Sequence, residues 1–418
     1  MDRGGWGWRL SIVLAIAFAA RAAAAFAIEA TLPPGVDDLI PGDATGYLDL
    51  AKDLSDGREF AVWTPPRRVM RMPGFPALIA VSFLAFGNSH VAARLLLSVV
   101  ATLGCYLVFV LGRRLFDDRT AFIAATITAV LPTFVAFSPL FLSETAFAVT
   151  LVASLIPAAS LLKGLGDPKT STSELLCNAG TCGALISVAC YMRPSWLLWA
   201  PFVAFCAILA GRARPITWVV AAMIGATTFL TLLPWAIRNH RVTGHFVLTT
   251  LWMGPSLYDG LNPNATGDSE MTFFDRDNLL STMSEYEMNQ EYARRAKDFA
   301  WNNPGRAIEL GFIKLWRYWK LWPNAGQFNS WPAWIAVLAS SVPLFAATIL
   351  GIWKGRPNWI ALALTLGPVL YFAAVHSIFV GSIRYRLPAE YPMTLLAAVG
   401  LLAFVRPKSA PPTPKPEA

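Results

Sequence analysis

Residues 91–112 read VAARLLLSVVATLGCYLVFVLG, with Arg94 as the one charge in the stretch. At about 1.5 Å per helical residue this segment reaches about 33 Å, enough to cross a bilayer core of about 30 Å. Working outward, nine more stretches read the same way, giving ten expected spans: roughly 10–30, 91–112, 120–138, 141–162, 175–191, 195–211, 216–237, 332–353, 358–378 and 389–405. The apolar stretch 74–87 is too short to cross and reads as a re-entrant or interfacial helix. The composition agrees. Of 418 residues, 55% are hydrophobic and 14% charged, against about 25% charged in soluble domains, and the mean hydropathy is +0.49. A disordered chain, a disulfide scaffold and an ordinary cytosolic enzyme are excluded. The expected fold is an all-α polytopic membrane protein of about ten transmembrane helices, occupying residues 1–405, with a disordered tail at 406–418.

Charge sets the expected orientation. Alternate span ends carry Arg3, Arg9, Arg113, Arg114, Arg119, Lys163, Lys169, Arg212, Arg214, Lys354, Arg356, Arg406, Lys408 and Lys415. With the acids in the same turns their balance is +8, the net charge of the whole chain. This is the positive-inside pattern, and it puts both termini in the cytoplasm. Because the excess is spread over six short turns, it is a topology signal and not a nucleic-acid footprint. The opposite side carries two long loops, about 31–90 and 238–331. The cytoplasmic turns leave no room for a nucleotide-binding domain, and neither a Walker loop nor a dinucleotide fingerprint occurs. The five cysteines fall in apolar stretches without metal spacing and read as small buried hydrophobes.

The outer loops and outer span ends hold the residues that invite chemistry. Asp43 opens a segment in which Tyr47, Leu50, Ala51 and Leu54 lie at helical spacing, an amphipathic helix expected on the membrane surface. Asp43 is either a helix cap or a carboxylate at the mouth of the bundle; one residue can serve as both. Arg67, Arg68 and Arg71 precede Pro73-Gly74, a turn, and Pro76, which suits a new first helical turn. Arg94, Glu144, Arg193, Arg238, Arg384 and Arg386 sit at outer ends of spans, where ionisable groups are costly. Taken singly, snorkelling to headgroups explains each. Together, two carboxylates and several arginines on one side fit a site that grips a phosphate and handles a proton. In the second loop, 285–303 reads as a mixed-charge helix and 304 to about 322 as another, carrying Lys314 among tryptophans. No His/Glu spacing suggests a dedicated zinc site.

The order of these motifs resembles the GT-C glycosyltransferases, in particular the protein mannosyltransferase and aminoarabinose transferase type (glycosyltransferase family 39/83). The residues that carry the resemblance are Asp43 with Tyr47, Arg71-Met72-Pro73-Gly74-Phe75-Pro76, Ser143-Glu144, Arg193-Pro194, Pro234-Trp235, Asn303-Pro304 followed by Lys314, and Arg384-Tyr385-Arg386-Leu387-Pro388. Many relatives carry an acidic pair in the first loop, whereas Ala44 follows Asp43 here. The resemblance implies a polyprenyl-phosphate-linked sugar donor, a glycan, lipid or protein acceptor, and transfer with inversion on the extracytoplasmic face of the cell inner membrane. It implies Asp43 as the base and Glu144 as a second carboxylate that positions the acceptor or binds a divalent metal. Arg94, Arg71, Arg384 and Lys314 then clamp the donor phosphate, and Tyr47, Arg193 and Arg386 touch substrate. No further cofactor is implied. A transporter or flippase of lipid-linked sugars is the alternative; it would place polar sites at mid-depth of several spans.

Overall fold

The computed structural model describes residues 5–405 apart from 34, 37, 41 and 325–329. The expected tail at 406–418 lies outside the described residues. In chain order the helices are α1 (Gly5–Thr31), α2 (Asp43–Ser55), α3 (Gly74–Phe86), α4 (His90–Leu115), α5 (Asp118–Val130), α6 (Pro132–Phe137), α7 (Ser143–Gly166), α8 (Thr172–Met192) and α9 (Trp199–Ala210). They continue as α10 (Pro215–Thr243), α11 (Met253–Gly260), α12 (Thr272–Asp277), α13 (Glu285–Asn302), α14 (Pro304–Trp319), α15 (Trp331–Gly355), α16 (Trp359–Thr365), α17 (Gly367–Ile378) and α18 (Leu387–Val405). The protein is an all-α, multi-pass membrane protein.

All ten expected spans are helical, but not all are single rods. Among the described residues, α1, α4, α7, α8, α10, α15 and α18 are long and apolar enough to cross alone, and α16 with α17 is a pair bent by 48° that has the apolar length of a broken span or a re-entrant loop. The bend falls at Leu366, just before Gly367-Pro368, where proline has no N–H to continue the ladder. The expected span 120–138 breaks at Leu131–Pro132 for the same reason, and 195–211 begins as a 3₁₀ turn at Pro194 before the short α9.

The break at Pro132 explains a charge within the first span. The Thr128 carbonyl would ordinarily accept from residue 132, which is a proline. Arg21 of α1, fully buried, donates to that carbonyl at 2.9 Å and to the Ala129 carbonyl at 2.8 Å. The Ala129 carbonyl is free because the Thr133 N–H donates instead to Ser340 Oγ of α15 at 3.0 Å. A cation within a span is thus held by the exposed carbonyls of a broken helix.

The residues of the basic turns have local partners. At one end Arg113 pairs with Asp118 at 2.6 Å, Lys163 donates to the Arg114 carbonyl, and Arg214 to the Leu165 carbonyl. Four cysteines are buried, but Cys177 on α8 is exposed, which corrects the reading of all five as core residues.

At the other end, α2 spends its apolar stripe on protein. Ala44, Tyr47, Leu48 and Ala51 are buried with Phe75, Ile79 and Phe83 of α3. Gly74 starts α3 where a Cβ would lie 2.6 Å from the Tyr191 carbonyl oxygen, so only glycine lets this turn seat on the end of α8. The second long loop folds back on the first. Glu285, at the start of α13, accepts from the N–H groups of Arg68 (2.9 Å) and Val69 (3.0 Å), and Arg238 of α10 donates to the carbonyls of Arg68 (2.6 Å) and Phe60 (3.1 Å). Arg71 is held two residues beyond this clamp.

Replacing Arg21 by Met is expected to leave two buried carbonyls without donors, at about 1–3 kcal/mol each. The check is thermal unfolding in detergent: a lower midpoint for Arg21→Met supports the capping role, and an unchanged midpoint refutes it.

Candidate active site

Asp43, Arg71, Glu144, Arg193 and Arg384 come together at the end of the bundle opposite the basic turns. Each is delivered by a helix end or the segment beside one. Asp43 is the first residue of α2, Glu144 lies in the first turn of α7, and Arg193 follows the last residue of α8. Arg71 lies three residues before α3, and Arg384 in the turn 383–385 between α17 and α18.

Arg384 is the centre of the cluster. One guanidinium nitrogen donates to Asp43 Oδ2 at 2.9 Å and its Nε donates to Glu144 Oε1, joining residues 341 and 240 positions apart in the chain. Arg71 takes the other Asp43 oxygen, Oδ1, at 2.7 Å, and Arg193 lies 3.1 Å from Glu144 Oε1. The two carboxylates differ in access. Glu144 is fully buried, and its Oε2 has no hydrogen-bond partner among the described residues. Asp43 keeps 38% of its side-chain surface exposed. Burial alone would raise the Asp43 carboxyl, but Arg71 and Arg384 outweigh that and hold it well below the usual carboxylate range.

Aromatic rings brace the arginines. The Arg71 guanidinium lies 4.3 Å from the Tyr47 ring centre, and the Tyr47 hydroxyl donates to Ser143 Oγ at 3.2 Å. The Tyr385 ring lies 5.3 Å from Arg193 and 5.9 Å from Arg384, and His376 stacks on its other neighbourhood at 4.3 Å, with planes 4° apart. His376 Nδ1 bonds to the Val380 carbonyl at 2.8 Å. Ser143 and Tyr385 carry no local sign of a role in the sequence; their contacts come from the third dimension.

Three expected site residues lie elsewhere. Arg94 is fully buried in a separate ion cluster. Its Nε donates to Glu29 at 2.6 Å, a terminal nitrogen donates to the Pro139 carbonyl at 2.7 Å and lies 3.4 Å from Asp38, and the guanidinium packs 4.2 Å from the Phe141 ring. These bonds tie α1, the first loop and the turn before Glu144 together, so Arg94 braces the site from a separate cluster. Lys314 is buried in α14 with Nζ on the Ile378 carbonyl at 2.6 Å, and burial pulls it down to about 8. Arg386 is buried at the start of α18 against Glu390 (2.5 Å) and the carbonyls of Tyr318 (2.6 Å) and Lys320 (3.1 Å). Both are enclosed by the folded second loop, so neither is available to a ligand. Sequence reasoning did not give Asp38 or Glu29 a partner.

Each carboxylate of the cluster is tied to two arginines, and among the described residues no three His, Cys, Asp or Glu side chains converge.

Comparison with known proteins places this geometry. Residues 70–237 match the family described as dolichyl-phosphate-mannose-protein mannosyltransferase. The fold is similar to an archaeal oligosaccharyltransferase, AglB from Archaeoglobus fulgidus, in complex with an inhibitory peptide and a dolichol-phosphate: TM-score 0.50, 13% identity, covering 96% of this chain and 51% of that one. The same enzyme tethered to an acceptor peptide gives TM-score 0.51 and 12% identity, covering 95% and 49%. ArnT from Cupriavidus metallidurans bound to undecaprenyl phosphate aligns at TM-score 0.47 and 12% identity, covering 96% and 78%. The chain spans about half the length of the archaeal structures. No curated protein matches it in sequence. The family match covers less than half of the chain, and the likeness to the solved structures is one of fold.

Two outcomes test the site. Arg94→Met leaves Glu29 and Asp38 without their cation, and breaking a buried pair costs about 3–5 kcal/mol; the melting midpoint should fall well below that of Arg193→Met, whose guanidinium is part-exposed. Equal midpoints would remove the positioning role. For Asp43, the lowered carboxyl stabilises the fold fully above the unfolded value of about 4 and loses this as pH falls through the folded value. The midpoint difference between wild type and Asp43→Asn should therefore stay constant from pH 7 to 5; a difference already shrinking at pH 6 contradicts the pairing.

Proposed function

We propose that this protein transfers a sugar from a polyprenyl-phosphate donor to an acceptor hydroxyl, with inversion, at the extracytoplasmic face of the cell inner membrane, both termini being cytoplasmic. The observation that carries the reading is the shared end of Asp43, Glu144, Arg71, Arg193 and Arg384, opposite the basic turns. The dolichol-phosphate held by the archaeal oligosaccharyltransferase of similar fold supports it.

In this reading the acceptor oxygen attacks C1 of the sugar while Asp43 takes its proton. The bond from C1 to the phosphate oxygen breaks, and the lipid phosphate leaves with the electron pair. Negative charge grows on that oxygen, where a preorganised arginine is most effective. Arg71 and Arg384 supply it. The same two residues make Asp43 a poor base while the site is empty, since a strongly lowered pKa weakens proton uptake. A donor phosphate gives them a second anion to serve, so the Asp43 carboxylate is partly released and becomes more basic when the donor is seated. Glu144, tied to Arg193 and Arg384, keeps the cluster in place, and Tyr47 holds Arg71 over α2. The acceptor is a glycan, lipid or protein hydroxyl.

Purified protein in lipid nanodiscs, offered a panel of polyprenyl-phosphate sugars with membrane extract as acceptor, tests this. Asp43→Asn should lower turnover by about 10²-fold or more, and Arg384→Gln and Arg71→Gln by about 10²–10³-fold. An Asn variant as fast as wild type would overturn the base, and the absence of product from every donor would overturn the transferase.

A further inference from the structure

Trp63 and Arg67 have no part in the cluster above, yet the fold holds them beside it in a costly arrangement. Trp63 has φ of 61°, the left-handed region that bulky side chains avoid; such strain persists where the surroundings enforce it, commonly at ligand clamps. Its indole leans on α2 at Gly46, where a Cβ would meet the ring 3.2 Å away, one helical turn from Asp43. The hairpin from Val62 to Arg67, joined by two backbone hydrogen bonds of 3.0 and 3.1 Å, presents it. Despite this anchoring, 38% of Trp63 stays exposed.

Arg67 lies against the same ring. Its guanidinium is 4.6 Å from the Trp63 ring centre, 4.4 Å from Phe274 and 5.4 Å from Trp252. Among the described residues its Nε is buried without a partner, and the one hydrogen bond of its side chain is a long contact of 3.9 Å to Met70 Sδ. No carboxylate lies within ion-pair distance of it among the described residues. The acids that face it do so at longer range, Asp275 from α12 and Glu285 from α13, and Glu285 is engaged by the Arg68 and Val69 N–H groups. Most other arginines near this end of the molecule have an acid or backbone carbonyls to bond.

We infer that Trp63 and Arg67 form the acceptor subsite of the transferase proposed above, and that the acceptor they take is an acidic saccharide. A sugar ring lays its apolar C–H face on an indole, whose π face is electron-rich. A carboxylate on that sugar completes the partnerless guanidinium with charge-assisted bonds. Gly46 lets the platform lie on the helix that begins with Asp43, one turn from the carboxylate.

Because the inference rests on the transferase reading, its test is binding without donor. The full-length protein in nanodiscs is titrated with digalacturonate and, in parallel, with neutral digalactose, followed by saturation-transfer NMR. The acidic disaccharide should bind about tenfold more tightly, with added salt narrowing the gap. Arg67→Gln should abolish the preference and Arg67→Lys restore part of it. Trp63→Ala should weaken both sugars, whereas Trp63→Phe should keep most of the affinity; if the Ala variant fails to fold, Phe and the Arg67 variants carry the test. Equal binding of the two disaccharides, or a preference that survives Arg67→Gln, overturns the inference. An acidic peptide bound as tightly as digalacturonate overturns it in favour of a protein acceptor. Failure of donor turnover would show in the assay of the preceding section and leave these titrations readable.

Discussion

Arg384 is the side chain on which the site depends. A carboxylate in a low-dielectric setting is tolerated only when a cation meets it, and Arg384 meets two. By bonding both Asp43 and Glu144 it welds the first long loop to the start of α7 and to the turn before α18. It shares each of them with one further arginine. The residues around the pair serve the same end: Arg71 and Arg193 each take one carboxylate, and Tyr47 and Tyr385 hold the guanidinium planes.

This explains why the candidate site was largely legible as a list of residues and poorly legible as a set of partners. A charge near a span end is expensive, so Asp43, Arg71, Glu144, Arg193 and Arg384 stand out against an apolar background. Arg94 and Arg386 stand out equally, and the sequence has no means of telling a cation that waits for a ligand from one already satisfied. The difference lies in Glu29, Asp38 and Glu390 and in carbonyls freed by turns. A backbone carbonyl carries no signature in the sequence, so an arginine answered by carbonyls looks the same as one awaiting phosphate.

The fold shows a similar division. The helical, membrane-spanning character follows from apolar length. The breaks were less visible because a long apolar window averages over a single proline. Pro132 and Pro368 sit in stretches greasy enough to read as continuous. The closing of the second loop onto the first, through Glu285 and Arg238, depends on main-chain groups of residues 60–69, and nothing in the local sequence announces it.

The arginine within α1 has a consequence for how the polypeptide is made. Its carbonyl partners belong to α5, which emerges from the ribosome about a hundred residues later. An arginine at the centre of a bilayer costs about 2.5–3.5 kcal/mol, so the first segment is a poor candidate for release into lipid by itself. It gains a home once the third segment arrives with its kink. Biogenesis is thereby ordered: the leading segments leave the insertion machinery as a group, and the N-terminal helix commits to the membrane only in company.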